Sequence, residues 1–273
     1  MPELPEIQAH AERLSAEFAG ATLAAFIPFT FTALKTFAPP PDSALGHTLV
    51  QVARRGKYLL MDFEVLTFAV HLMQGGRLKP DPKQSAKPRD GVARWVFDDD
   101  RALLLTEAGR ERRAGVWTDP TIALRGLGPE ATDFTAEALA MAFQHQNMRL
   151  HGFLRDQHNI SGVGRRLANE ICHRAKLSPF AMTGKLGSAG AAATVNAIQE
   201  CVAESLSYER SRLDMSSSAD RPSAVHHRTG ERCPVCADTV REVSYASYTV
   251  NYCASCQTAG KVLADNTTSR FLK

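Results

Sequence analysis

The apolar positions near the start of the chain repeat with the period of a helix. They are Ile7, Ala11, Leu14 and Phe18. Spacings of four, three and four residues place such side chains on one face of an α-helix. Pro5 suits the first turn of this helix and Gly20 suits its end. The pattern predicts a leading helix over residues 5–18.

A different pattern follows, in which short apolar runs are separated by Pro, Gly and charged residues. The runs are 23–31, 48–52, 58–63, 67–72, 93–97 and 102–106. Runs of this length are typical of strands in an antiparallel sandwich or barrel. Two stretches rich in turn-forming residues, 38–43 and 79–90, are predicted to be surface loops.

The second half of the chain has a helical pattern. After Leu127-Gly128-Pro129-Glu130, helix-forming residues dominate the segments 135–146, 148–156, 165–175 and 191–210. Residues 214–222 are polar and predict a loop. This division predicts an α+β multidomain protein. Its predicted parts are a β-sandwich domain with a leading helix over 1–130, a helical domain over 131–225, and a metal-binding hairpin with a tail over 226–273.

Composition and charge narrow the class of protein. With 273 residues, 44% of them hydrophobic, the chain is long enough for two or three domains with cores of their own. No apolar run reaches the ~20 residues of a membrane-spanning helix, and the start lacks a secretory pattern, so we expect a cytoplasmic protein. Residues 149–185 carry seven Lys or Arg against two acids, which indicates either a phosphate-binding surface or a solvated basic face.

Four of the six cysteines form two Cys-x-x-Cys pairs. They are Cys233, Cys236, Cys253 and Cys256. Sixteen residues separate the two pairs, a length that suits a β-hairpin closing a tetrahedral site. Four thiolates with no open position predict one structural Zn²⁺. An iron–sulfur centre or redox-active cysteine pairs are the alternatives.

Two glycines, Gly162 and Gly164, interrupt the chain just before the predicted helix that starts at Arg165. Backbone N–H groups in such a turn, at the positive end of a helix, can hold a phosphate. A helix–turn–helix unit of this kind can also grip a DNA backbone without reading bases. The glycine spacing is equally compatible with an ordinary helix hairpin.

The opening residues, Met1-Pro2-Glu3-Leu4-Pro5-Glu6, allow two interpretations. Initiator Met is normally removed before a residue as small as proline, which would leave Pro2 with a free secondary amine beside the Glu3 carboxylate. Such a pair can act as nucleophile and proton donor. Alternatively, the second proline is an ordinary first-turn residue and the carboxylates simply suit the positive end of the helix.

Six motifs occur together, and their order along the chain carries information. They are Pro-Glu-Leu-Pro-Glu at 2–6, Arg-Gly-Lys-Tyr-Leu-Leu at 55–60, Leu-Gly-Pro-Glu at 127–130, Gly-Val-Gly at 162–164 with Glu170, Arg-Thr-Gly-Glu-Arg-Cys-Pro-Val-Cys at 228–236 and Cys-x-x-Cys-Gln at 253–257. Over essentially its whole length the chain resembles the formamidopyrimidine-DNA glycosylase / endonuclease VIII family of base-excision repair enzymes. The resemblance implies a helix–two-turn–helix DNA-binding domain, a zinc finger, and an active site between the first domain and the rest. It also implies a monomeric, nucleoid-associated bacterial protein whose partner is damaged DNA, duplex or single-stranded.

The resemblance also implies a mechanism. Pro2 would attack C1′ of the damaged nucleotide, expel the base and form an iminium link, and elimination at the 3′ and then the 5′ phosphate would nick the strand. Glu3 would supply or shuttle protons, and Lys57 would contact the phosphate beside the lesion. A terminal amine suits this role because its pKa of about 8 lies below the ~10.4 of lysine, so more of it is uncharged near neutral pH. The base must leave the duplex first.

Four positions depart from the family pattern at places where the family handles DNA. Gln74 stands where the family has a Met that is inserted into the DNA, and Ala114 stands where it has a wedge Phe. Arg165 replaces a phosphate-binding Asn, and Tyr248 replaces the Arg of the zinc hairpin. Met73 takes the place of the inserted Met if the register shifts by one residue. The predicted DNA-contacting residues are His71, Gln74, Arg112, Arg113, Gly162, Gly164, Arg165, Glu170 and Tyr248.

These departures allow several explanations. The enzyme acts on lesions other than those of the standard 8-oxoguanine enzyme, such as oxidised pyrimidines, bulky adducts or damage in single strands, where a wedge matters least. Alternatively, the tail after Gln257, with Lys261, Arg270 and Lys273, supplies the missing phosphate contact. A non-catalytic DNA-damage binder on the same scaffold is a third possibility. Because Pro2, Glu3 and Lys57 are all present, we favour a bifunctional glycosylase and AP lyase with an altered lesion range.

Overall fold

The computed structural model of this chain describes residues 1–109, 112–215, 220–245 and 248–263. These residues form two compact units. The first contains 1–126 and 209–215, and the second contains 127–208 together with the described residues from 220 onwards. The metal-binding hairpin thus belongs to the same unit as the helices, and the division into three domains at 130 and 225 stays a prediction.

The leading helix, α1, spans Leu4–Phe18 and begins one residue before its predicted start. Its apolar stripe is buried, as the periodicity predicts: Ile7, Leu14 and Phe18 are at most 2% exposed. The helix ends before Gly20, whose φ of +90° lies in the left-handed region that glycine adopts without strain. Its buried face therefore fixes how the N-terminal residues enter the first unit.

Two antiparallel sheets make up most of the first unit. The strands are β1 Leu23–Pro28, β2 Gln51–Arg55, β3 Tyr58–Asp62, β4 Thr67–His71, β5 Gly76–Pro80, β6 Gly91–Phe97, β7 Ala102–Glu107 and β8 Gly115–Trp117. One sheet has the order β1-β6-β7-β5 and the other β2-β3-β4-β8, with antiparallel pairing throughout. A short helix, α2, follows at Pro120–Ala123. The predicted β-sandwich is confirmed.

Aromatic side chains from both sheets form the centre of the core. The ring centroids of Phe26 on β1 and Phe68 on β4 lie 5.2 Å apart, and Trp95 on β6 lies 5.7 Å from Phe68. Phe68 and Trp95 are completely buried. Burial of each such ring is worth roughly 1.5–3 kcal/mol, so these contacts are a main source of cohesion between the sheets.

Strand β5 is the largest difference from the sequence-based expectation. It was not predicted, and its last two residues fall in the stretch 79–90 that was predicted to be a loop. Only Gly76 and Leu78 of this strand are buried, because β5 lies at the edge of its sheet, where polar residues and Pro80 are tolerated. Two other predictions were wrong at their ends: the run 23–31 ends at Pro28, and the strand predicted at 48–52 is Gln51–Arg55.

The second unit contains the predicted helices and the hairpin. Its elements are α3 Ala136–His145, α4 Leu150–Arg155, α5 Arg165–Arg174, most of α6 Gly187–Arg210, β9 Val240–Ser244, β10 Thr249–Cys253 and α7 Ala254–Gln257. Helix α6 begins four residues before its predicted start at 191. The sequence missed this turn because Gly187 and Gly190 have poor helix propensity. The combination of sheets, helices and hairpin confirms the predicted α+β class.

A buried histidine makes the stability of the first unit depend on pH. Nε2 of His10, on α1, lies 2.7 Å from the carbonyl oxygen of Leu78 on β5. Burial lowers the pKa of His10 from its usual 6.5 to about 4, against the opposing effect of this hydrogen bond. The unfolded chain therefore takes up this proton at a higher pH than the folded chain. We expect the free energy of unfolding to rise between about pH 4 and 6.5, with His10 contributing up to about 3 kcal/mol, and to level off above.

Urea unfolding at pH 4.5, 5.5, 6.5 and 7.5 measures this dependence. His10→Gln should reduce the rise in the free energy of unfolding with pH. Other buried histidines, such as His71, should maintain part of this rise. His145→Gln, at an exposed histidine, is the matched control and should leave the profile unchanged. A rise that is as steep in His10→Gln as in the wild type would contradict the assignment.

Candidate active site and nucleic-acid interface

The N-terminal residues singled out by the sequence lie buried at the start of α1. Pro2 is buried and Glu3, the residue that caps the helix, is 5% exposed. Oε2 of Glu6 accepts a hydrogen bond of 3.1 Å from the backbone N–H of Glu3, which is one half of a capping box. The helix start therefore holds the backbone of Glu3 in a fixed position next to Pro2.

Lys57 lies in the tight turn between β2 and β3. Gly56 adopts a φ of +57° there, and the Lys57 side chain is largely buried. The Arg54 guanidinium donates to the carbonyl oxygen of Gly56 and to Oε1 of Gln8 on α1, both at 3.0 Å. The turn that carries Lys57 is thus attached to the helix that carries Glu3, which places the predicted catalytic residues on one connected framework.

His71 completes the group at the end of β4. Its ring packs edge-on against Tyr58, with centroids 4.7 Å apart. Nδ1 accepts the backbone N–H of Met73 at 3.0 Å, so the neutral ring carries its proton on Nε2. Burial, followed by the charges of Lys57 and the terminal amine, lowers the pKa of His71 to about 4. His71 is therefore a neutral N–H donor near both amines; in this structure the terminal amine belongs to Met1, one residue before Pro2.

A pocket of about 510 Å³ opens beside these residues. Its lining consists of Met1, Met73, Gln74, Gly75, Glu107, Ala108, Gly109 and Arg113. Gln74 is exposed, whereas Met73 is half-buried and held in a left-handed conformation with φ +51°. Gln74 and Met73, the two candidates for the residue that is inserted into the DNA, therefore both line the pocket. Gln74 is the more accessible of the two.

The loop after β7 is closed by a buried carboxylate. Oε2 of Glu107 accepts the backbone N–H of Ala114 at 2.6 Å, and Ala114 is 3% exposed. A buried methyl group cannot act as a wedge in DNA. Arg112 pairs with Asp90 at 2.8 Å at the surface, and Arg113 lines the pocket; residues 110 and 111 of this loop lie outside the described residues.

The glycine turn in the second unit has the geometry that the sequence predicts. Gly162 has a φ of +92°, and its N–H donates to Oε1 of Gln157 at 3.0 Å. Gly164 is the N-cap residue of α5, so this turn leads directly into the positive end of the helix. Arg165, the first residue of α5, is exposed. The turn therefore offers a positive helix end beside a positive side chain.

Glu170, in the middle of α5, has a structural use. Its two carboxylate oxygens accept the backbone N–H groups of Ala224, Val225 and His226 at 2.7, 3.0 and 2.8 Å. A carboxylate also repels a phosphate. The predicted DNA contact of Glu170 stays a prediction, whereas its role in holding the segment before the finger follows directly from these bonds.

The four predicted metal ligands converge. The Sγ atoms of Cys233, Cys236, Cys253 and Cys256 all lie within 4.8 Å of one another. Two of the S···S distances are 3.4 and 3.9 Å, close to the about 3.8 Å that tetrahedral Zn–S bonds of about 2.3 Å require. Burial raises the pKa of Cys253 to about 11, so a bound ion would have to displace the proton of this thiol. The cluster fits one metal ion.

His173 supports this cluster and was missed by the sequence analysis. Its Nε2 lies 3.3 Å from Sγ of Cys233, and the residue is 5% exposed. Outer-shell hydrogen bonds of this kind orient a thiolate ligand. The sequence carried no signal for this contact, because its partner Cys233 lies 60 residues further along the chain.

Tyr248, which stands where the family has the hairpin Arg, lies at the tip of the β9–β10 hairpin. It takes part in a group of stacked rings with Tyr245 and His151. In the first unit, Gln74 and Arg113 line the pocket; in the second unit, Arg165 is exposed and Tyr248 is half-buried.

Comparison with known proteins agrees with this arrangement. Residues 1–117 match the formamidopyrimidine-DNA glycosylase N-terminal domain, and residues 126–217 match the formamidopyrimidine-DNA glycosylase H2TH domain. A formamidopyrimidine-DNA glycosylase from Thiobacillus denitrificans is 32% identical over 94% of this chain and its own full length. An uncharacterized formamidopyrimidine-DNA glycosylase-like protein from Mycobacterium tuberculosis is 40% identical over 55% of this chain and 96% of its own length.

Solved structures share the fold at lower identity. MutM in complex with DNA containing carbocyclic 8-oxo-G superposes with a TM-score of 0.83 at 19% identity, covering 94% of this chain and all of that one. The Lactococcus lactis formamidopyrimidine-DNA glycosylase bound non-covalently to DNA with an AP site gives 0.82 at 19% identity, covering 94% and 99%. The sequence matches define a DNA glycosylase of the base-excision repair class. The chain belongs to the formamidopyrimidine-DNA glycosylase / endonuclease VIII family, which confirms the resemblance drawn from its motifs.

One observation bears on membranes. Within the described residues, no helix has both the length and the apolar character needed to cross a bilayer.

Proposed function

We propose that this protein is a bifunctional DNA glycosylase and AP lyase whose nucleophile is the amine of Pro2 after removal of Met1. The observation that carries the proposal is the buried arrangement of Pro2, Glu3, Lys57 and the neutral His71 beside a pocket of about 510 Å³. A buried amine near the positive charge of Lys57 is more easily kept neutral, and therefore nucleophilic. If Glu3 served only to cap the helix, neither a buried Lys57 nor a pocket beside the N-terminus would be needed.

In the proposed reaction the nitrogen of Pro2 forms a bond to C1′ of the damaged nucleotide while the bond from C1′ to the base breaks. The base leaves with that electron pair and takes up a proton. Glu3 protonates the sugar ring oxygen, the ring opens, and an iminium joins Pro2 to C1′. Loss of a proton from C2′ then expels the 3′ phosphate, a second elimination expels the 5′ phosphate, and hydrolysis of the iminium frees the amine.

Lys57 and His71 are proposed to bind the phosphate beside the lesion. Lys57 supplies a positive charge, and His71 supplies a neutral donor through Nε2–H. Because the pKa of His71 is about 4, this donor does not change its charge across the physiological pH range. Phosphate binding by the pair would therefore depend little on pH above about 5.

We further propose that the four-cysteine cluster holds one structural Zn²⁺, and that DNA is bound through the glycine turn and the finger of the second unit. The thiolate donor set and the S···S distances support zinc. The matched bacterial relatives support action on chromosomal DNA in the cytoplasm.

The lesion range is proposed to differ from that of the standard 8-oxoguanine enzyme. Ala114 is buried where a wedge is expected, and Gln74 presents an amide to the pocket instead of a thioether. An enzyme without a wedge depends less on the partner strand. Lesions in single strands or beside unpaired bases are therefore the proposed substrates.

Borohydride trapping tests the activity. The mature protein is incubated with an oligonucleotide that carries a natural abasic site, in duplex and in single-stranded form, and then reduced. We expect a covalent adduct of one chain with the strand that carries the site, and comparable yields from both forms. The matched control is the same oligonucleotide with a tetrahydrofuran abasic analogue, which has no aldehyde at C1′ and should give no adduct.

A non-catalytic DNA-damage binder is the second candidate, favoured by the buried Ala114 and by Tyr248 in place of Arg. It would retain the tetrahydrofuran oligonucleotide in a binding assay but give no adduct with the natural site. This outcome would contradict the enzymatic function and support the DNA-damage binder.

A further inference from the structure

The tip of the β9–β10 hairpin carries two tyrosines that stack on each other. The ring centroids of Tyr245 and Tyr248 lie 4.7 Å apart, with an angle of 12° between the rings. The N–H of Tyr245 donates to the carbonyl oxygen of Tyr248 at 2.8 Å, which holds the two ends of the loop together. The stack is therefore a fixed part of the hairpin.

Two arginines at the ends of α4 rest on this stack. Cζ of Arg155 lies 4.1 Å from the centroid of the Tyr248 ring. Arg149 donates from Nη1 to the hydroxyl of Tyr245 at 2.8 Å, and its Cζ lies 5.5 Å from the ring of Phe180. A guanidinium that lies flat on a ring uses its face for the cation–π contact and leaves its in-plane N–H groups for another ligand.

The charges of these arginines are not neutralised within the unit. Across the described residues, no carboxylate comes within 4.0 Å of the guanidinium groups of Arg149, Arg155 or Arg165. By contrast, Arg174 on the same unit pairs with Glu200 and Glu204 at 2.9 and 2.7 Å. Among the described residues, the stack thus holds positive charge that has no acidic partner.

The remaining neighbour of the stack adds no charge of its own. The ring of His151 lies nearly parallel to that of Tyr248, with centroids 6.2 Å apart. Burial, followed by the charge of Arg155, lowers the pKa of His151 to about 3. His151 therefore stays neutral.

We propose that Arg155, held over the Tyr248 ring, is a binding site for a phosphodiester of the DNA backbone, with Arg149, bonded to the Tyr245 hydroxyl, as its neighbour. The positive charge that the family carries on the hairpin is here carried by α4, and the hairpin supplies the aromatic ring that positions it. Tyr248 is thus a positioning residue. This inference rests on the proposed DNA-binding function and assigns to it a residue that the sequence analysis did not select.

Salt-dependent binding to DNA tests the assignment. The probe is a duplex with one tetrahydrofuran abasic analogue, which is bound but not cut, titrated with the full-length protein between 50 and 300 mM salt. We expect Arg155→Ala to weaken binding about tenfold near 100 mM salt and to reduce the slope of log K against log salt by about one. Arg174→Ala is the matched control: it removes one arginine whose charge is already paired, and should leave the slope unchanged.

Two substitutions at the hairpin separate the ring from the hydroxyl. Tyr248→Phe keeps the ring and should bind like the wild type, whereas Tyr248→Leu removes it and should approach the affinity and slope of Arg155→Ala. Unchanged metal content in each variant shows that the finger is intact. An unchanged slope in Arg155→Ala overturns the assignment, as does a loss in Tyr248→Phe equal to that in Tyr248→Leu.

The outcomes also separate this inference from the proposed activity. A wild type that binds the probe but gives no borohydride adduct with a natural abasic site refutes the lyase and leaves the Arg155 site standing. A wild type that does not bind the duplex probe refutes the Arg155 site, and a borohydride adduct with the natural abasic site in single-stranded form would then leave the lyase standing.

Discussion

Blocking the amine of Pro2 should abolish covalent trapping. In Pro2→Gly with one residue added ahead of it, the secondary amine is gone and position 2 carries only an amide, so the iminium at position 2 cannot form. We expect the borohydride adduct and strand cleavage to fall by at least about a thousandfold, as is common when a catalytic nucleophile is removed. The measurement is the yield of adduct in gel electrophoresis against time, with binding of the tetrahydrofuran duplex as the check that the protein is folded.

Glu3→Gln is the informative companion variant. It leaves the amine of Pro2 in place but removes the carboxyl that donates the proton. We expect trapping on a pre-formed abasic site to persist and excision of a damaged base to slow by about a hundredfold or more. Equal adduct yields from the wild type and the blocked Pro2 variant would show that another amine, such as that of Lys57, is the nucleophile.

Removal of one cysteine ligand should dismantle the finger. Cys253 ends β10 and is completely buried in the small cluster around the cysteines. We expect Cys253→Ser to lose the single bound metal, because one of its four ligands is gone. The finger should then come apart, since a structural zinc contributes on the order of 10–16 kcal/mol to folding of such a module. DNA affinity should fall at least about tenfold, because the hairpin that positions Arg155 is no longer held.

Metal analysis of the purified protein and DNA titration measure the two effects. The matched control is Cys201→Ala, which removes a buried cysteine of α6 outside the cluster and should keep one zinc per chain. Retention of one zinc by Cys253→Ser would show that the ligand set is not these four thiolates.

The sequence determined the class of fold because its strongest signals were local. The stripe of α1 and the alternation of β3 follow the periods that burial of one face imposes, and β4 and β7 are short apolar runs that are buried almost throughout. Strand β5 escaped detection because an edge strand needs few apolar residues, and Gly76 and Leu78 alone do not form a pattern. Boundaries also shifted where glycine-rich turns continue as helix, as at the start of α6.

The candidate site divided in a similar way. Pro2, Glu3, Lys57 and the four cysteines could be selected because their chemistry or their spacing is unusual. His173, Arg149 and Arg155 could not, because their importance comes from neighbours that are distant in the chain: Cys233 for the histidine, and Tyr245 and Tyr248 for the arginines. Ala114 is a different case. The sequence identified the missing wedge at this position, but it did not show that the loop buries the side chain.

The bonds of Glu170 have a consequence for motion. Its carboxylate binds three successive backbone N–H groups of residues 224–226, and its neighbour Asn169 accepts the N–H of Asn251 on β10 at 3.3 Å. Hydrogen bonds to a charged group are worth about 1.5–3 kcal/mol each. Separation of the middle of α5 from the base of the finger would break several of them and therefore has a high free-energy cost. Thermal fluctuations should therefore carry helix and finger together as one body. The distance between Arg165 and the cysteine cluster is then a property of the protein before any DNA arrives, and binding need not spend energy to set it.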